Sequence, residues 1–396
     1  MLWQSEGGRA RVHQLLENAR DVAFLEDRGL FTDPEAFAAR LAPPADPRLA
    51  DRLGVAPGQP LAYVGQQPAS DYGATTLAKF AAARAEALPG VMTAVIWHDA
   101  DRAASERLAM RVVLPLGRRR RGIWLAARAL GDREARWVPV ERAQLLDAVA
   151  QLHEWAENAL PADREAAHRR VDQLAEALLA PDVDTVARAC AALATVMLRE
   201  QLGLSAPAVF VSELVGAGLL DAALGVYLAR LDDVVRVFNG VRDELLARDI
   251  DPQVRALGED HLPLHLSCRV DRARLRLAHE RRGRDHFAVA TCRCGQAYRF
   301  HLGHGEPSLG ELAGTTDWSP DISLPVLHDH LMSGWIAGRS SGAYGIVLNA
   351  VTERVFERPP VPAYLPPGLV GDAGHPRSLL VAYLTGGAGV LSGMRA

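Results

Sequence analysis

The stretch that decides the fold is Leu61-Ala62-Tyr63-Val64-Gly65-Gln66-Gln67, an apolar run that ends in a glycine and two carboxamides. The apolar run predicts a strand, and the pattern after it predicts a helix over 75–88 and a second strand over 92–97. A strand, a helix and a strand in this order form a βαβ unit with parallel strands. Because glycine has no Cβ, we expect the backbone to turn sharply at Gly65. The two carboxamides then lie at the carboxyl edge of the sheet, where open α/β sheets bind their ligands.

Size and composition limit the class of protein. The chain has 396 residues, 49% of them apolar, which is enough for one large core or for two to three domains. The net charge is −4 and both signs are interleaved, so neither a nucleic acid nor a membrane is expected as a partner. The chain has no pattern of a signal peptide or a membrane span, and four cysteines are too few for a disulfide framework. A cytoplasmic location is therefore expected.

The rest of the chain alternates between helical and strand patterns. Arg118–Arg121 stands between two apolar runs and is interpreted as the solvated tip of a hairpin, with an anion-binding role as the alternative. Apolar spacing predicts helices from about 142 to 200, a buried strand over 208–211 and short strands and turns from 258 to 305. We therefore expect an α/β fold with a Rossmann-like parallel sheet and helical segments. Its predicted parts are a core in 1–257, an inserted zinc-ribbon-like β subdomain in 258–305 and a C-terminal part, 306–396, that completes the core.

Polar side chains also follow the second strand of the βαβ unit. The strand ends at Trp97, and His98, Asp99 and Asp101 come directly after it. Because parallel neighbours finish at the same edge of a sheet, we expect these groups to share a crevice with the Gly-Gln-Gln turn. An imidazole can act as a general base, and a carboxylate can orient it or bind an ammonium group. The alternative is a solvated loop or a helix cap without a ligand.

A second candidate site is formed by cysteines. Cys268 and the run Cys292-Arg293-Cys294-Gly295 lie among short strand-like segments, as in a zinc ribbon, where two turns each supply two ligands. The first turn lacks one ligand, which would be either His265 or Asp271. We expect one structural zinc ion, with a metal-free ribbon as the alternative, because nothing in the pattern marks an open coordination position.

A third candidate is the small-residue segment Gly338-Arg339-Ser340-Ser341-Gly342. Backbone N–H groups in such a loop can bind an anion. The segment also fits Gly-x-Ser-x-Gly, which would make Ser340 the nucleophile of a hydrolase. That motif needs a strand in front of it, whereas the residues before Gly338 are predicted to be helical. A hydrolase is therefore disfavoured.

Taken together, these segments resemble bacillithiol synthase, the family of bacterial enzymes that join cysteine to glucosaminyl malate. The resemblance is weak, covers most of the chain and follows the order and spacing of the family. This chain is shorter, shows no sustained heptad pattern that would match the family's coiled coil, and has a rearranged acidic strand end at His98. The matching segments are Val64-Gly65-Gln66-Gln67 with a following helix that contains Lys79, Val95–Asp101, Trp318–Leu324, Trp335–Arg339 and Gly342-Ala343-Tyr344.

The resemblance implies an enzyme that forms a C–N (amide) bond between an amino acid, cysteine being the first choice, and an amine-bearing small molecule. Such a ligase would serve the biosynthesis of a thiol cofactor or a specialised metabolite. His98 would act as the base, Asp99 and Asp101 would hold an ammonium group, and the glutamines would orient a carboxylate or a sugar. How the carboxylate is activated is left open, with ATP as one option, and so is whether the protein is a homodimer. The substrate-binding positions that the resemblance implies are Gly65, Gln66, Gln67, Trp97, Ser319, Arg339 and Tyr344.

The alternative to an enzyme is a relative that no longer catalyses a reaction. Such a protein would bind a small molecule or act as a scaffold, and would use the zinc ribbon for contact with a partner. The rearranged strand end at His98 favours this alternative, whereas the Gly-Gln-Gln turn favours the enzyme.

Overall fold

The fold is known from a computed structural model, which describes residues 10–11, 19–101, 111–116, 118–126, 132–160, 162–321, 333–366 and 378–386. The helices are α1 Ala19–Glu26, α2 Pro34–Ala38, α3 Pro47–Leu53, α4 Ala74–Ala82, α5 Arg142–Ala159, α6 Arg164–Leu178, α7 Val186–Leu202, α8 Val211–Gly216, α9 Asp221–Ala229, α10 Leu231–Ala247, α11 Arg339–Phe356 and α12 Leu379–Leu384. The strands are β1 Ala10–Arg11, β2 Leu30–Phe31, β3 Leu61–Gln66, β4 Met92–Trp97, β5 Arg111–Leu116, β6 Arg119–Trp124, β7 Ala208–Phe210, β8 Ile250–Asp251, β9 His261–Ser267, β10 Arg274–Arg282, β11 Asp285–Thr291, β12 Ala297–His304, β13 Trp318–Pro320, β14 Trp335–Ile336 and β15 Ala363–Tyr364.

A parallel sheet of six strands, in the order β2-β15-β14-β3-β4-β7, forms the centre of the α/β fold. Every neighbouring pair in it is parallel, which confirms the predicted βαβ pairing of β3 with β4. The chain runs outward from β3 through β4 to β7, then returns to β14 on the other side of β3 and continues outward to β15. The strand order therefore reverses between β3 and β14. In open α/β sheets, ligands bind at the carboxyl ends of the strands at such a reversal.

Both faces of this sheet are buried. Along β3, Leu61 and Tyr63 pack into one core, whereas Ala62 and Val64 pack into the other. The first core contains α9 to α11 and the antiparallel sheet, and the second contains α4 to α7 and the β5–β6 hairpin. Burial on both sides is typical of parallel strands and explains why β3 is a continuous apolar run.

The second sheet is antiparallel and has the strand order β12-β11-β10-β9-β13. The β9–β10 and β11–β12 turns lie at the same end of it, because alternate connections of a meander fall on the same side. The strand β13 pairs with β9, so this sheet extends beyond the boundary that was predicted at residue 305. Its side chains also belong to the same buried core as one face of the parallel sheet.

Several predicted elements differ in their bounds. The helix expected over 75–88 ends at Ala82, and Arg119–Trp124 is a strand, so most of the arginine run lies on β6 rather than at the hairpin tip. The residues before Gly338 form the strand β14 rather than a helix, and α11 follows directly. The premise used against a hydrolase was therefore wrong. Ser340 nevertheless lies within the first helical turn of α11, rather than on the sharp turn between strand and helix that a nucleophile elbow requires.

Within the described part of the chain, no helix is both long enough and apolar enough to cross a lipid bilayer.

Candidate functional site

The predicted crevice lies at the carboxyl ends of β3, β4 and β14. Gly65 and Gln66 pair with Ile96 and Trp97 in register, so both strands finish at the same level. The backbone N–H of His98 donates to the carbonyl of Gln66 at 2.9 Å, which continues the pairing one residue further. The two polar strand ends are therefore neighbours, as the sequence predicted.

Gly65 has a different role from the one expected. It lies within β3 and does not have a positive φ, so the backbone makes no sharp turn there. A Cβ at this position would lie 2.7 Å from Nε2 of His98, which is closer than atoms can approach. Any larger residue at position 65 would therefore displace the imidazole of His98, which lies directly over the strand.

Lys79 extends from α4 into the same crevice. Its ammonium group donates to the carbonyl oxygen of Gly65 at 2.9 Å and to Oε1 of Gln66 at 2.8 Å. Its stem runs beside the N-terminus of α11, because a Cβ at Gly338 would lie 3.4 Å from Cδ of Lys79. The side chain is only 9% exposed. A buried ammonium, a half-buried imidazole and the start of an 18-residue helix thus meet at the strand reversal.

The environment changes the acidity of both groups. Burial lowers the pKa of Lys79 from 10.5 to about 8. Burial also lowers the pKa of His98, and the charge of Lys79 lowers it further, whereas Asp101 opposes these effects. At neutral pH the crevice therefore combines a protonated lysine with a neutral imidazole, which can accept a proton.

Asp101 forms the rim of the crevice. Its Oδ2 accepts a hydrogen bond from Nε2 of Gln67 at 2.7 Å, and its Oδ1 lies 3.5 Å from Nη2 of Arg274. Tyr72 supports the Gln67 segment from below, because its hydroxyl donates to the carbonyl of Gln67 at 3.0 Å. The carboxamide of Gln67 is thus oriented with its donor toward Asp101, and its acceptor has no partner among the described residues.

Asp99 is oriented away from this group. Its carboxylate accepts hydrogen bonds from the backbone N–H and the hydroxyl of Ser212, in the first turn of α8. Burial raises the pKa of Asp99 to about 6, although the Ser212 bonds oppose the shift. Asp99 therefore connects the end of β4 to the start of a helix, which is the helix-cap alternative that the sequence left open.

The other predicted substrate positions are spread over two regions. Trp97 is 2% exposed and stacks on Tyr72 in the core beneath the crevice. Tyr344 stacks on Trp335 at the base of α11, and burial followed by the charge of Asp101 raises its pKa, which places it near the rim. Arg339 is the first residue of α11, and its side chain lies outside the described part of the structure.

Ser319 belongs to a separate, buried network around Glu134. Its hydroxyl donates to Oε1 of Glu134 at 2.7 Å, and the hydroxyl of Ser267 donates to Oε2 at the same distance. Arg136 completes the network with a hydrogen bond of 2.7 Å to Oε2. Glu134 has no exposed surface, so its charge depends on these partners and on the guanidinium of Arg274, whose Nε lies 3.5 Å from Oε1. Ser319 thus belongs to a buried network on the antiparallel sheet and does not contact the residues of the crevice described above.

The cysteine site is gathered at one end of the antiparallel sheet. The ligand atoms of Cys268, Asp271, Cys292 and Cys294 all lie within 4.8 Å of one another, a group that can hold a metal ion. The sulfurs of Cys268 and Cys294 are 3.6 Å apart, too far for a disulfide, and Sγ of Cys292 lies 3.4 Å from Oδ1 of Asp271. His265 is not part of this group and lies on β9, in register with Ser319. Of the two ligands left open by the sequence, the structure therefore brings Asp271 to the cysteines.

The environment shifts the pKa values of two thiols of this cluster, Cys292 and Cys268, in opposite directions. Burial, followed by the neighbouring thiols and Asp271, raises the pKa of Cys292 to about 12, so this thiol keeps its proton unless a cation replaces it. Burial also acts on Cys268, but hydrogen bonds from Tyr298 and from the backbone outweigh it and lower the pKa of that thiol. The hydroxyl of Tyr298 lies 3.2 Å from Sγ of Cys268. Such hydrogen bonds to a ligand sulfur are typical of metal sites.

Two residues of the crevice region were missed by sequence reasoning as site residues. Lys79 is the only lysine among 44 lysine and arginine residues, and this rarity was the available signal. Arg274 gives no signal in the sequence, because it is one of many arginines and reaches Asp101 from a different sheet.

No protein-family model matches the chain, and a search of curated proteins found none that is similar to it. The resemblance to bacillithiol synthase therefore stays a prediction, and the function has to be argued from the two sites themselves.

Proposed function

We propose that the crevice is the active site of an enzyme that joins an amino acid to an amine-bearing small molecule through an amide bond. The observation that carries the proposal is the meeting of Lys79, His98 and the N-terminus of α11 at the reversal of strand order. A cation and free helical N–H groups favour an anionic group, and a neutral imidazole beside them accepts a proton. The reaction class itself follows the resemblance to bacillithiol synthase.

Lys79 and the first turn of α11 would hold the carboxyl group of the amino acid. An ammonium group has three donors, and two of those of Lys79 have acceptors in the described part of the chain, which leaves one for a ligand. The first N–H groups of a helix have no acceptor within the helix, and the stem of Lys79 lies beside this end of α11. When an amine attacks the activated carboxyl group, these donors would stabilise the negative oxygen that forms.

Asp101, Gln67 and His98 would act on the two amino groups. The carboxylate of Asp101 and the carboxamide oxygen of Gln67 suit the ammonium group of the amino acid. The imidazole of His98 would accept the proton that the attacking amine loses as the C–N bond forms. The group that leaves the carboxyl carbon depends on the activation, for which ATP and a thioester are both consistent with this arrangement.

Calorimetric titration with L-cysteine, followed by the other proteinogenic amino acids, tests this proposal. We expect one or a few of them to bind the wild type, and Lys79→Met to bind them more weakly. If no amino acid binds the folded wild type, the proposal is wrong. If an amino acid binds but no amide forms from any activated amino acid and amine, the non-catalytic alternative is favoured.

We also propose that the thiolate cluster binds one structural zinc ion. Ligands around a tetrahedral zinc ion lie roughly 3.5–3.8 Å apart, given bonds of about 2.3 Å to sulfur and about 2.0 Å to oxygen. The distances of 3.6 Å between Cys268 and Cys294, and of 3.4 Å between Cys292 and Asp271, agree with this geometry. Three sulfur ligands favour zinc over the harder cations. Elemental analysis should find about one zinc per chain, and a folded protein without bound metal would contradict the proposal.

A further inference from the structure

The thiolate cluster and the crevice are connected by a short piece of chain. The first turn of the cluster runs from Cys268 to Ala273, and Arg274 follows at the start of β10. Within the turn, the backbone N–H of Cys268 donates to the carbonyl of Ala273 at 2.8 Å, and that of Ala273 donates to Oδ1 of Asp271 at 3.0 Å. Two ligands of the cluster thus hold the turn that places Arg274.

The guanidinium of Arg274 lies between two carboxylates. Nη2 is 3.5 Å from Oδ1 of Asp101 at the rim of the crevice, and Nε is 3.5 Å from Oε1 of the buried Glu134. The side chain is 12% exposed, so the ion pair with Asp101 is shielded from solvent. Because Asp101 also accepts from Gln67 at 2.7 Å, Arg274 acts on the group that orients the Gly-Gln-Gln segment.

The backbone around Arg274 ties the same parts together. The N–H of Arg274 donates to the carbonyl of Asp132 at 2.7 Å, and the N–H of Ala135 donates to the carbonyl of Asp101 at 3.0 Å. Arg293, between two cysteines of the cluster, forms an ion pair of 2.7 Å with Asp132. The segment around Asp132 therefore contacts both the cluster turn and the loop after β4.

We propose that Arg274 is a positioning residue through which metal binding at the thiolate cluster controls the state of the crevice. This inference rests on the proposed function of both sites and adds the link between them. With the cluster filled, the turn is rigid and Arg274 holds the Asp101 carboxylate at the rim. Without the metal, the turn loosens, and Asp101 is released toward His98 and away from the ammonium group of a substrate.

The test measures the pKa of His98, because that value depends on Asp101 and requires no substrate. Histidine labelled with carbon-13 gives a titration curve by NMR, and His98→Gln assigns its signal. In Arg274→Gln, the freed Asp101 should raise the pKa of His98 by about half a unit or more. Removal of zinc with a chelator from the wild type should raise it by a similar amount, and re-addition of zinc should reverse the shift.

Controls separate positioning from damage to the fold. Arg276→Gln removes an arginine from the same strand that is 54% exposed and pairs with Asp260, so it should leave the pKa of His98 unchanged. Arg274→Lys retains a positive charge and should restore most of the wild-type value, and thermal unfolding checks that each variant is folded.

The combination of both changes decides the mechanism. Chelation of zinc from Arg274→Gln should shift the pKa of His98 no further, because both changes act through the same ion pair. Three results would each overturn the inference. The pKa of His98 could be unchanged in folded Arg274→Gln, it could be unchanged when zinc is removed from the wild type, or zinc removal could shift it in Arg274→Gln as much as in the wild type. If the link holds but no amino acid binds, the proposed reaction fails while the coupling between the sites stands.

Discussion

The crevice and the thiolate cluster both lie at the ends of strands. They differ in whether their polar atoms gather around one point or form separate hydrogen-bonded pairs. In the cluster, the four ligand atoms lie within 4.8 Å of one another, close enough to bind one ion together. In the crevice, the polar groups bond to each other in pairs, such as Lys79 with Gln66 and Gln67 with Asp101, and within the described residues each pair keeps a donor or an acceptor for something else.

This difference indicates two kinds of ligand. A closed set of soft ligands at tetrahedral spacing suits a permanent ion, whose binding free energy becomes part of the stability of the fold. In the crevice, donors and acceptors surround Lys79, whose pKa is lowered. Such an arrangement suits a molecule that binds and is released again. If this interpretation is correct, changes in the cluster act mainly on stability, and changes in the crevice act mainly on binding and turnover.

The largest effect on stability is expected for Cys292→Ser. The loss of a ligand sulfur should lower the free energy of unfolding by about 4 kcal/mol or more, since metal binding contributes directly to folding. Denaturant unfolding and elemental analysis measure the effect and the zinc content. Cys190→Ala is the matched control, because Cys190 is buried in a different core and should leave the zinc content unchanged. Equal zinc content in both variants would remove the distinction between the two sites.

The largest effect on turnover is expected for His98→Gln. The loss of a positioned base should lower the rate of amide formation by about 10²- to 10⁴-fold, while the melting temperature changes little. Steady-state kinetics on the substrates identified by titration provide the measurement. His304→Gln, which changes a histidine that is 60% exposed on the other sheet, should retain the wild-type rate. A similar rate in both variants would exclude His98 from the reaction.

An effect on ligand affinity is expected for Lys79→Met. One charge-assisted hydrogen bond contributes about 1.5–3 kcal/mol, so the Kd for the amino acid should rise by roughly ten- to a hundredfold. Lys79→Arg should restore little, because a guanidinium is larger, planar and unable to lose its proton. Calorimetry measures the Kd, and an affinity in Lys79→Arg equal to that of the wild type would show that only the charge matters.

The pH dependence of kcat/KM should reflect the ionisation of both His98 and Lys79. The pKa of His98 is lowered, so the base is lost only when the pH falls below its ordinary value of about 6.5. Lys79 loses its proton as the pH rises through about 8, which removes the cation that holds the carboxyl group. We therefore expect kcat/KM to follow a bell-shaped profile between these limits. In Lys79→Arg, any residual activity should keep its acid limb and lose its alkaline limb; an alkaline limb that persists would assign it to another group.

The smallest effect separates two neighbouring aspartates. Asp99→Asn keeps an acceptor for Ser212 and should change turnover by no more than a few-fold, because Asp99 points to the start of α8. Asp101→Asn removes the charge that faces the crevice and should raise the KM for the amino acid at least tenfold. Equal losses in both variants would show that Asp99 also contacts the ligand.

Much of this arrangement was predictable from the sequence, because it depends on local pattern. The period and length of apolar runs predicted β3, β4 and the strands β9 to β12 of the second sheet, and parallel pairing then placed Gln66 beside His98. The spacing of Cys268, Cys292 and Cys294 was sufficient to predict a common site, because alternate turns of an antiparallel meander lie at the same end of the sheet.

The direction in which each side chain points was decided only by the tertiary structure. Gly65 looked like a turn residue, but it makes room for His98, which approaches from another strand. From the sequence, Asp99 and Asp101 had the same predicted role. In the structure, α8 lies next to Asp99, and the carboxylate of Asp99 accepts a hydrogen bond from Ser212 instead of facing the crevice. Asp271 and His265 were both suitable metal ligands, and the geometry of the first turn selected Asp271.

The sequence was therefore sufficient for the neighbouring strands β3, β4 and β7, for β9 to β12, and for the strand ends at which polar groups collect. These features follow from the periodicity of the backbone, which is a property of neighbouring residues. The tertiary structure alone decided that Lys79 is buried against Gln66 and that Arg274 reaches Asp101 from the second sheet. Contacts of this kind join residues far apart in the chain, so they depend on how the elements pack and leave no periodic signal in the sequence.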